Sequence, residues 1–319
     1  MVEQPPKKAY LTGPKRLSRS PGQKVLLGLS GILLSPIYWL LAHKYRVPGL
    51  NLQIVSAWLG VRILLRRRVH VPLSILYPLV LAPMDTVRYF EFDFMWRLVS
   101  DSPIQRYLDV SSPRLLPIWL AESHPGLMAD LVNPDRRDLD VTSILVRGLG
   151  LEPRCALHNC PIESSPFASG TFDLITCISV LEHIPDDTNA IERMWSLLKP
   201  AGRLLLSVPC AAKPLEEYLD CNEYGLLDPA EDGYWFRQRF YTWDLLRERI
   251  FAVTGPPRRS AIYGERSAGA LLRLTARKWT DPSYPYWREP YVVGREFQYF
   301  GNLSDLPGQG VVAMEFVKE

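Results

Sequence analysis

The stretch "FDLITCISVLEHIPDDTNAIERMWSLLKPAGRLLLSVP", residues 172–209, changes its hydrophobic pattern twice. "FDLITCIS" is a nearly unbroken apolar run of strand length, the pattern of a strand covered on both faces. In "DDTNAIERMWSLLKP", Ile191, Met194, Trp195 and Leu198 recur at helical spacing. Asp186 and Asp187 stand where a helix N-terminus favours negative charge, and Pro200 with Gly202 stops the pattern. "GRLLLSVP" is then a second buried strand. Strand, helix, strand in one run is the unit of a mostly parallel sheet covered by helices.

The same texture continues outward. "YLDVSSPRLLPIWLAE", residues 107–122, reads as strand, tight turn and helix; "GLMADLV" is a further strand, "TSILVRGLG" a helix ended by glycine, and "GVVAMEFVK" the final strand. In such a doubly wound α/β sheet, ligands bind outside the carboxyl ends of the strands at the switch point. The turns after "YLDV", "MADLV" and "TCIS" converge there. The first of these turns, Ser111–Ser112–Pro113, contains no glycine.

With 319 residues, 47% hydrophobic, and 37 Lys+Arg against 34 Asp+Glu, the chain can bury a full-sized core and carries no global bias toward nucleic acid. Its five cysteines form no CxxC pair and leave one over, which argues against a disulfide framework and for a reducing compartment. Cys155, His158 and Cys160 have no second ligand cluster, and we read them as a loop and a strand edge, with no metal.

Charge is unevenly placed. Residues 1–24 hold Lys7, Lys8, Lys15, Arg16, Arg19 and Lys24 against Glu3 and predict a disordered basic tail. "VLLGLSGILLSPIYWLLA", residues 25–42, has about the minimum length for crossing a bilayer, yet Pro36 interrupts it and basic residues flank both ends. A true span and a re-entrant or hairpin anchor both stay open. From Gln53, Ile54, Val55, Trp58, Leu59, Val61 and Leu65 recur at helical spacing before Arg66, Arg67 and Arg68, as on a helix lying at an anionic leaflet. We therefore divide the chain into a tail (1–24), a membrane-associated helical segment (25–83), and an α/β domain (84–319) with insertions at about 211–241 and 266–300. The alternative for 25–83 is a helical subdomain packed on the main fold.

From Pro161 to Pro209 the segment resembles the central half of a class I S-adenosylmethionine-dependent methyltransferase of the type 11-like group. That pattern has an acidic residue, "PF", "FD", a strand, "LEH", a helix, "LKPGG" and a strand; Phe167, Phe172, Asp173, Leu181, Glu182 and His183 match it. The likeness extends over about residues 105–210. It implies a Rossmann-like, doubly wound, mostly parallel seven-stranded sheet, S-adenosyl-L-methionine as cofactor, and methyl transfer.

Carried onto this chain, the resemblance places Asp109 near the methionine part of the cofactor, with Ser111, Ser112 and Pro113 in the family's glycine turn. The ribose-binding acid has three candidates: Asp130, Asn133 and Asp135. The adenine-binding aspartate falls on Pro161, so Glu163 or a backbone carbonyl has to substitute, and Ser179 closes the site after the fourth strand. Glu182 and His183 are the catalytic candidates, His183 either as a general base or, with Glu182, as an orienter of the loop.

Aromatic and arginine-rich segments at 228–250 and 284–300 suit an acceptor bearing a ring or sugar and an acidic group, or equally a packed cap; residues 85–99 suit a lid helix. The expected activity is methylation of a small-molecule, lipid-linked or sugar-containing acceptor at the cytoplasmic face of a membrane, without nucleic acid. The alternative is a non-catalytic scaffold that kept the fold and lost the cofactor.

Overall fold

The computed structural model describes residues 7–13, 19–100 and 102–319. Its centre is an eight-stranded sheet of β2 (Arg106–Val110), β3 (Met128–Val132), β4 (Cys155–His158), β5 (Phe172–Ile178), β6 (Leu198–Ala211), β9 (Arg259–Glu265), β10 (Phe297–Phe300) and β11 (Gln309–Val317). The spatial order is β10-β9-β11-β6-β5-β2-β3-β4, with β4 to β6 running parallel and β11 inserted antiparallel between β6 and β9. Seven of these strands form the expected doubly wound sheet. The eighth, β10, pairs antiparallel with β9 from within the stretch read as an insertion.

Helices α5 (Leu115–Ser123), α6 (Arg136–Leu149) and α7 (Asp187–Leu197) cover the two faces. Their termini follow the sequence. Asp135 caps α6 by accepting the Arg137 amide at 2.9 Å, and Gly150 ends it at φ 65°, where a β-carbon is disfavoured. Helix α7 stops at Leu197, earlier than its apolar pattern, because Pro200 pushes Lys199 into extended backbone and Leu198 already belongs to β6.

The N-terminal region departs from the expected disordered tail at Lys7–Leu11. Residues Lys7–Leu11 form β1, which adds in parallel to β7 (Leu215–Leu219); β7 pairs antiparallel with β8 (Trp235–Phe240), making a separate three-stranded sheet. This replaces disorder for that part of residues 1–24: an open edge on β7 supplies backbone partners that a solitary basic segment lacks. Residues 1–6 and 14–18 lie outside the described residues.

Helices α1 (Pro21–Lys44), α2 (Leu52–Arg66), α3 (Leu73–Leu81) and α4 (Arg88–Val99) follow. Ala42, Leu59, Ile63, Leu79 and Phe92 share one core with Trp119 and Leu145 of the α/β fold. Helix α1 packs Gly31 against Trp287 and Tyr38 against Trp287 and Tyr291, while Leu26, Leu29, Leu33, Ile37 and Leu40 stay exposed. The chain closes through α8 (Trp243–Leu246), a π turn, α9 (Ala252–Thr254), α10 (Ala270–Thr280) and α11 (Glu289–Glu296), on which α1 rests. Of the aromatic segment 284–300, Trp287 and Tyr291 hold α1, while Phe297 and Tyr299 pack on Tyr263 of β9.

Asp187 shows how the insertion is fixed. It is fully buried and binds Arg239 (2.6 Å), Arg249 (2.7 Å) and the Tyr241 hydroxyl (2.5 Å). Breaking a buried pair on one side strands the other charge, so Asp187→Ala should cost about 3 to 5 kcal/mol in denaturant unfolding. A loss below about 1 kcal/mol, the range of exposed pairs, would contradict this role.

Candidate active site

The winding of the sheet reverses between β2 and β5, so the crevice outside their carboxyl ends is where this topology admits a ligand. Two non-glycine residues stand there in left-handed backbone, Ser111 at φ 52° and Ser179 at φ 47°. Such a conformation costs on the order of 1 to 3 kcal/mol and persists only where neighbours over-determine it. Ser111 gives both its amide (2.8 Å) and its hydroxyl (3.1 Å) to the Val132 carbonyl. Ser179 gives its amide to the Ser207 carbonyl (2.9 Å) and its hydroxyl to Glu91 (2.5 Å).

Asp109 lies beneath the first turn, almost fully buried. Its Oδ1 accepts the hydroxyls of Thr176 (2.7 Å) and Tyr107 (3.2 Å), and its Oδ2 accepts the Ser112 amide (3.1 Å). The Ser112 hydroxyl accepts the Ile178 amide at 3.0 Å. Together these bonds tie β2, its turn and β5 into one unit. Burial pushes the Asp109 carboxyl up to about 6, and the hydroxyl and amide donors hold it from rising further.

Asp109, Ser111, Ser112 and Asn133 line one small cavity with Arg114 and Asp138. Asn133 is the first residue past β3; its amide nitrogen donates to Asp138 (3.1 Å) and its oxygen accepts the Asp135 amide (2.8 Å). Arg114, directly after Pro113, pairs with Asp138 in the first turn of α6 and so bridges the two walls. With that bridge closed the cavity is about 10 Å³. The Arg114 Nε is buried without a partner, an unmet donor at the cavity wall.

Asp130 does not join this group. In register with Leu108 while Leu131 matches Asp109, it lies on the opposite face of the sheet and binds Arg106 (2.9 Å) and His158 (2.8 Å). Glu163 sits apart on the short turn Ile162–Ser164 after β4.

A second polar cluster surrounds the turn after β5. Glu182 is buried with Oε2 unpartnered, and burial pushes its carboxyl up to about 8. His183 donates from Nδ1 to the Arg237 carbonyl (2.6 Å), its Nε2 stands 3.9 Å from Glu182, and burial lowers it to about 4. Above them, the fully buried Glu91 of α4 accepts from Ser179, Ser207 (2.7 Å) and Arg88 (2.5 Å).

Against known proteins, residues 125–253 match the methyltransferase domain family. That segment, about two fifths of the chain, is similar to the family. Over 39 residues it is 54% identical to the ubiquinone biosynthesis O-methyltransferase of Xanthomonas axonopodis pv. citri (strain 306), 12% of this chain and 16% of that protein. Over 89 residues it is 33% identical to methyltransferase GfsG of Streptomyces halstedii, 28% of this chain and 32% of that protein. The chain therefore matches less than a third of the length of either relative. The solved 1,6-didemethyltoxoflavin-N1-methyltransferase of Burkholderia thailandensis, with bound 1,6-didemethyltoxoflavin and S-adenosylhomocysteine, is 17% identical over 72% of this chain and 76% of that one, with a TM-score of 0.45.

Around the candidate site, the sequence reading missed Arg114, Asp138 and Glu91. Arg114 had a signal, a cation directly after a glycine-free turn. Asp138 and Glu91 had little, since an acid in a first helical turn or among aromatics has commoner explanations.

The titration of Glu182 is testable. From its ordinary 4.5 to about 8, the unfolded chain has lost a proton that the folded chain keeps, so this group makes stability fall as pH rises through that window. Glu182→Gln should therefore raise the melting temperature at pH 9 relative to wild type more than it does at pH 5. An equal offset at both values would contradict the burial of a neutral carboxyl.

Proposed function

We propose that the protein transfers the methyl group of S-adenosyl-L-methionine to a small-molecule, lipid-linked or sugar-containing acceptor at the cytoplasmic face of a membrane. The observation that carries this reading is Ser111 at φ 52°. The methyltransferase family pattern has glycine in this turn, and here the left-handed backbone survives without glycine at a cost in strain. A turn that had merely decayed would relax to negative φ.

The cavity residues suit the cofactor chemically. Asn133 and Asp138 supply acceptors for ribose hydroxyls. The Arg114 guanidinium, with its unmet Nε donor, suits the cofactor carboxylate, and Glu163 or a backbone carbonyl of its turn is the acceptor this reading assigns to the adenine amino group. When bound, the cofactor supplies an electrophilic methyl group. Methyl transfer is an in-line displacement, so holding donor and acceptor in contact supplies much of the acceleration. At about 4, His183 is a weak proton acceptor at neutral pH, and its bond to Arg237 secures the β8 segment over the site. We assign it positioning, with Glu182.

Membrane placement is supported by the exposed apolar face of α1. A helix of 24 residues that rests on the domain through Gly31, Tyr38 and Ala42 fits an interfacial anchor better than a span. Ubiquinone biosynthesis in one relative's name favours a lipid-soluble acceptor, and five free cysteines favour the cytosol.

A scaffold without cofactor is the second reading, and the closed Arg114–Asp138 bridge favours it. Titration calorimetry of the full chain in detergent with S-adenosylhomocysteine separates the two. Micromolar binding, lost in Asp109→Ala and weakened about tenfold in Arg114→Gln, is the expected result; tenfold corresponds to about 1.4 kcal/mol, one charged hydrogen bond. Absence of binding by the folded protein would establish the scaffold.

A further inference from the structure

Far from the switch point, a cleft of about 530 Å³ lies between α2, the end of α5 and the end of α6. Arg62, Arg66, Arg68 and Arg154 line it together with Glu122 and Gly150. Glu122 is nearly buried and pairs with Arg62 and, at 3.1 Å, with Arg66. Arg66 also donates to the Leu149 carbonyl, and Arg154 to the His124 carbonyl at 2.8 Å. Among the described residues, Glu122 is the one carboxylate lining the cleft. Four guanidiniums against one carboxylate leave an excess of positive charge in a concave surface, which raises the local concentration of anions. Gly150 admits this arrangement, because a β-carbon there would fall 2.6 Å from Arg68 Cζ.

The cleft borders an apolar surface. Along α2, Ile54, Trp58, Val61 and Leu65 are exposed, while Leu59 and Ile63 are buried. At about 100° per residue, Arg62 and Arg66 fall between the exposed stripe and the buried one. Exposed Trp and Leu beside forked cations match the depth profile of a bilayer interface, apolar side chains in the acyl boundary and guanidiniums at phosphate level.

We infer that this cleft binds the phosphate of an anionic phospholipid headgroup and docks the apolar stripe of α2 on the bilayer. The inference deepens the membrane placement proposed above and rests on it. A bidentate guanidinium–phosphate contact supplies the selectivity, and the stripe supplies apolar burial shared by all lipids.

Co-sedimentation of the full chain with vesicles tests it. Vesicles containing phosphatidylglycerol should bind at least about tenfold more tightly than phosphatidylcholine alone, with a gap that shrinks in high salt. Arg62→Gln with Arg68→Gln should weaken the phosphatidylglycerol binding about twenty-fivefold, about fivefold per charge, and leave the phosphatidylcholine binding unchanged. Arg68→Gln alone, which removes an exposed side chain, gives the same comparison where the double variant does not fold. Equal binding to both vesicles, or a variant indistinguishable from wild type, overturns the cleft assignment while the membrane placement stands. Binding to neither overturns both. Inorganic phosphate that raises the melting temperature through Arg62 and Arg68, with no such dependence on vesicles, assigns the cleft to free phosphate and overturns the lipid.

Discussion

The Asp109 carboxylate, buried in the middle of the parallel sheet, is the interaction on which the candidate site depends. A buried carboxylate is tolerable only when its oxygens are met by donors, and here a tyrosine, a threonine and a backbone amide from three chain positions do so. Meeting them fixes the turn after β2 against β5. That in turn holds Ser111 in left-handed backbone and brings Asn133, Arg114 and Asp138 around one cavity. Removing the carboxylate would free the turn to relax from its left-handed backbone.

Around that centre the molecule repeatedly uses buried charge to attach peripheral elements. Glu91 brings α4 onto the ends of β5 and β6 through Ser179 and Ser207. Asp187 fastens the segment from β8 to the π turn through two arginines and a tyrosine. Such pairs add less net stability than apolar contacts of equal size, but they tolerate few alternative arrangements. Helix α4 and the segment from β8 to the π turn are thereby held in fixed relation to the sheet, while α1 to α3 are held by apolar packing.

What the sequence revealed follows from the range of each interaction. "FDLITCIS" and "GRLLLSVP" were legible because a strand covered on both faces is a continuous apolar run. The end of α6 was legible because Gly150 answers a local backbone requirement. The pairing of Lys7–Leu11 with β7 was not, since it joins residues over 200 positions apart and the segment alone is basic and short. Asp187 reads locally as a helix-terminus charge; its partners Arg239 and Arg249 lie 52 and 62 residues away. Asp130 was one of three positions the resemblance offered for the ribose ligand, yet one step of strand register turns it to the other face. At the site itself, Asp109 and the serine turn were visible, whereas the Arg114–Asp138 bridge that closes the cavity required the fold.

The central claim is the proposal that the serine turn is a working cofactor site. Ultraviolet labelling of the full-length protein with methyl-tritiated S-adenosyl-L-methionine, followed by peptide mapping, tests it most directly. The account predicts label in the peptides spanning Asp109 to Asp138, displaced by S-adenosylhomocysteine and reduced in Arg114→Gln. Label absent from those peptides in the folded protein, or undiminished by S-adenosylhomocysteine, would contradict it.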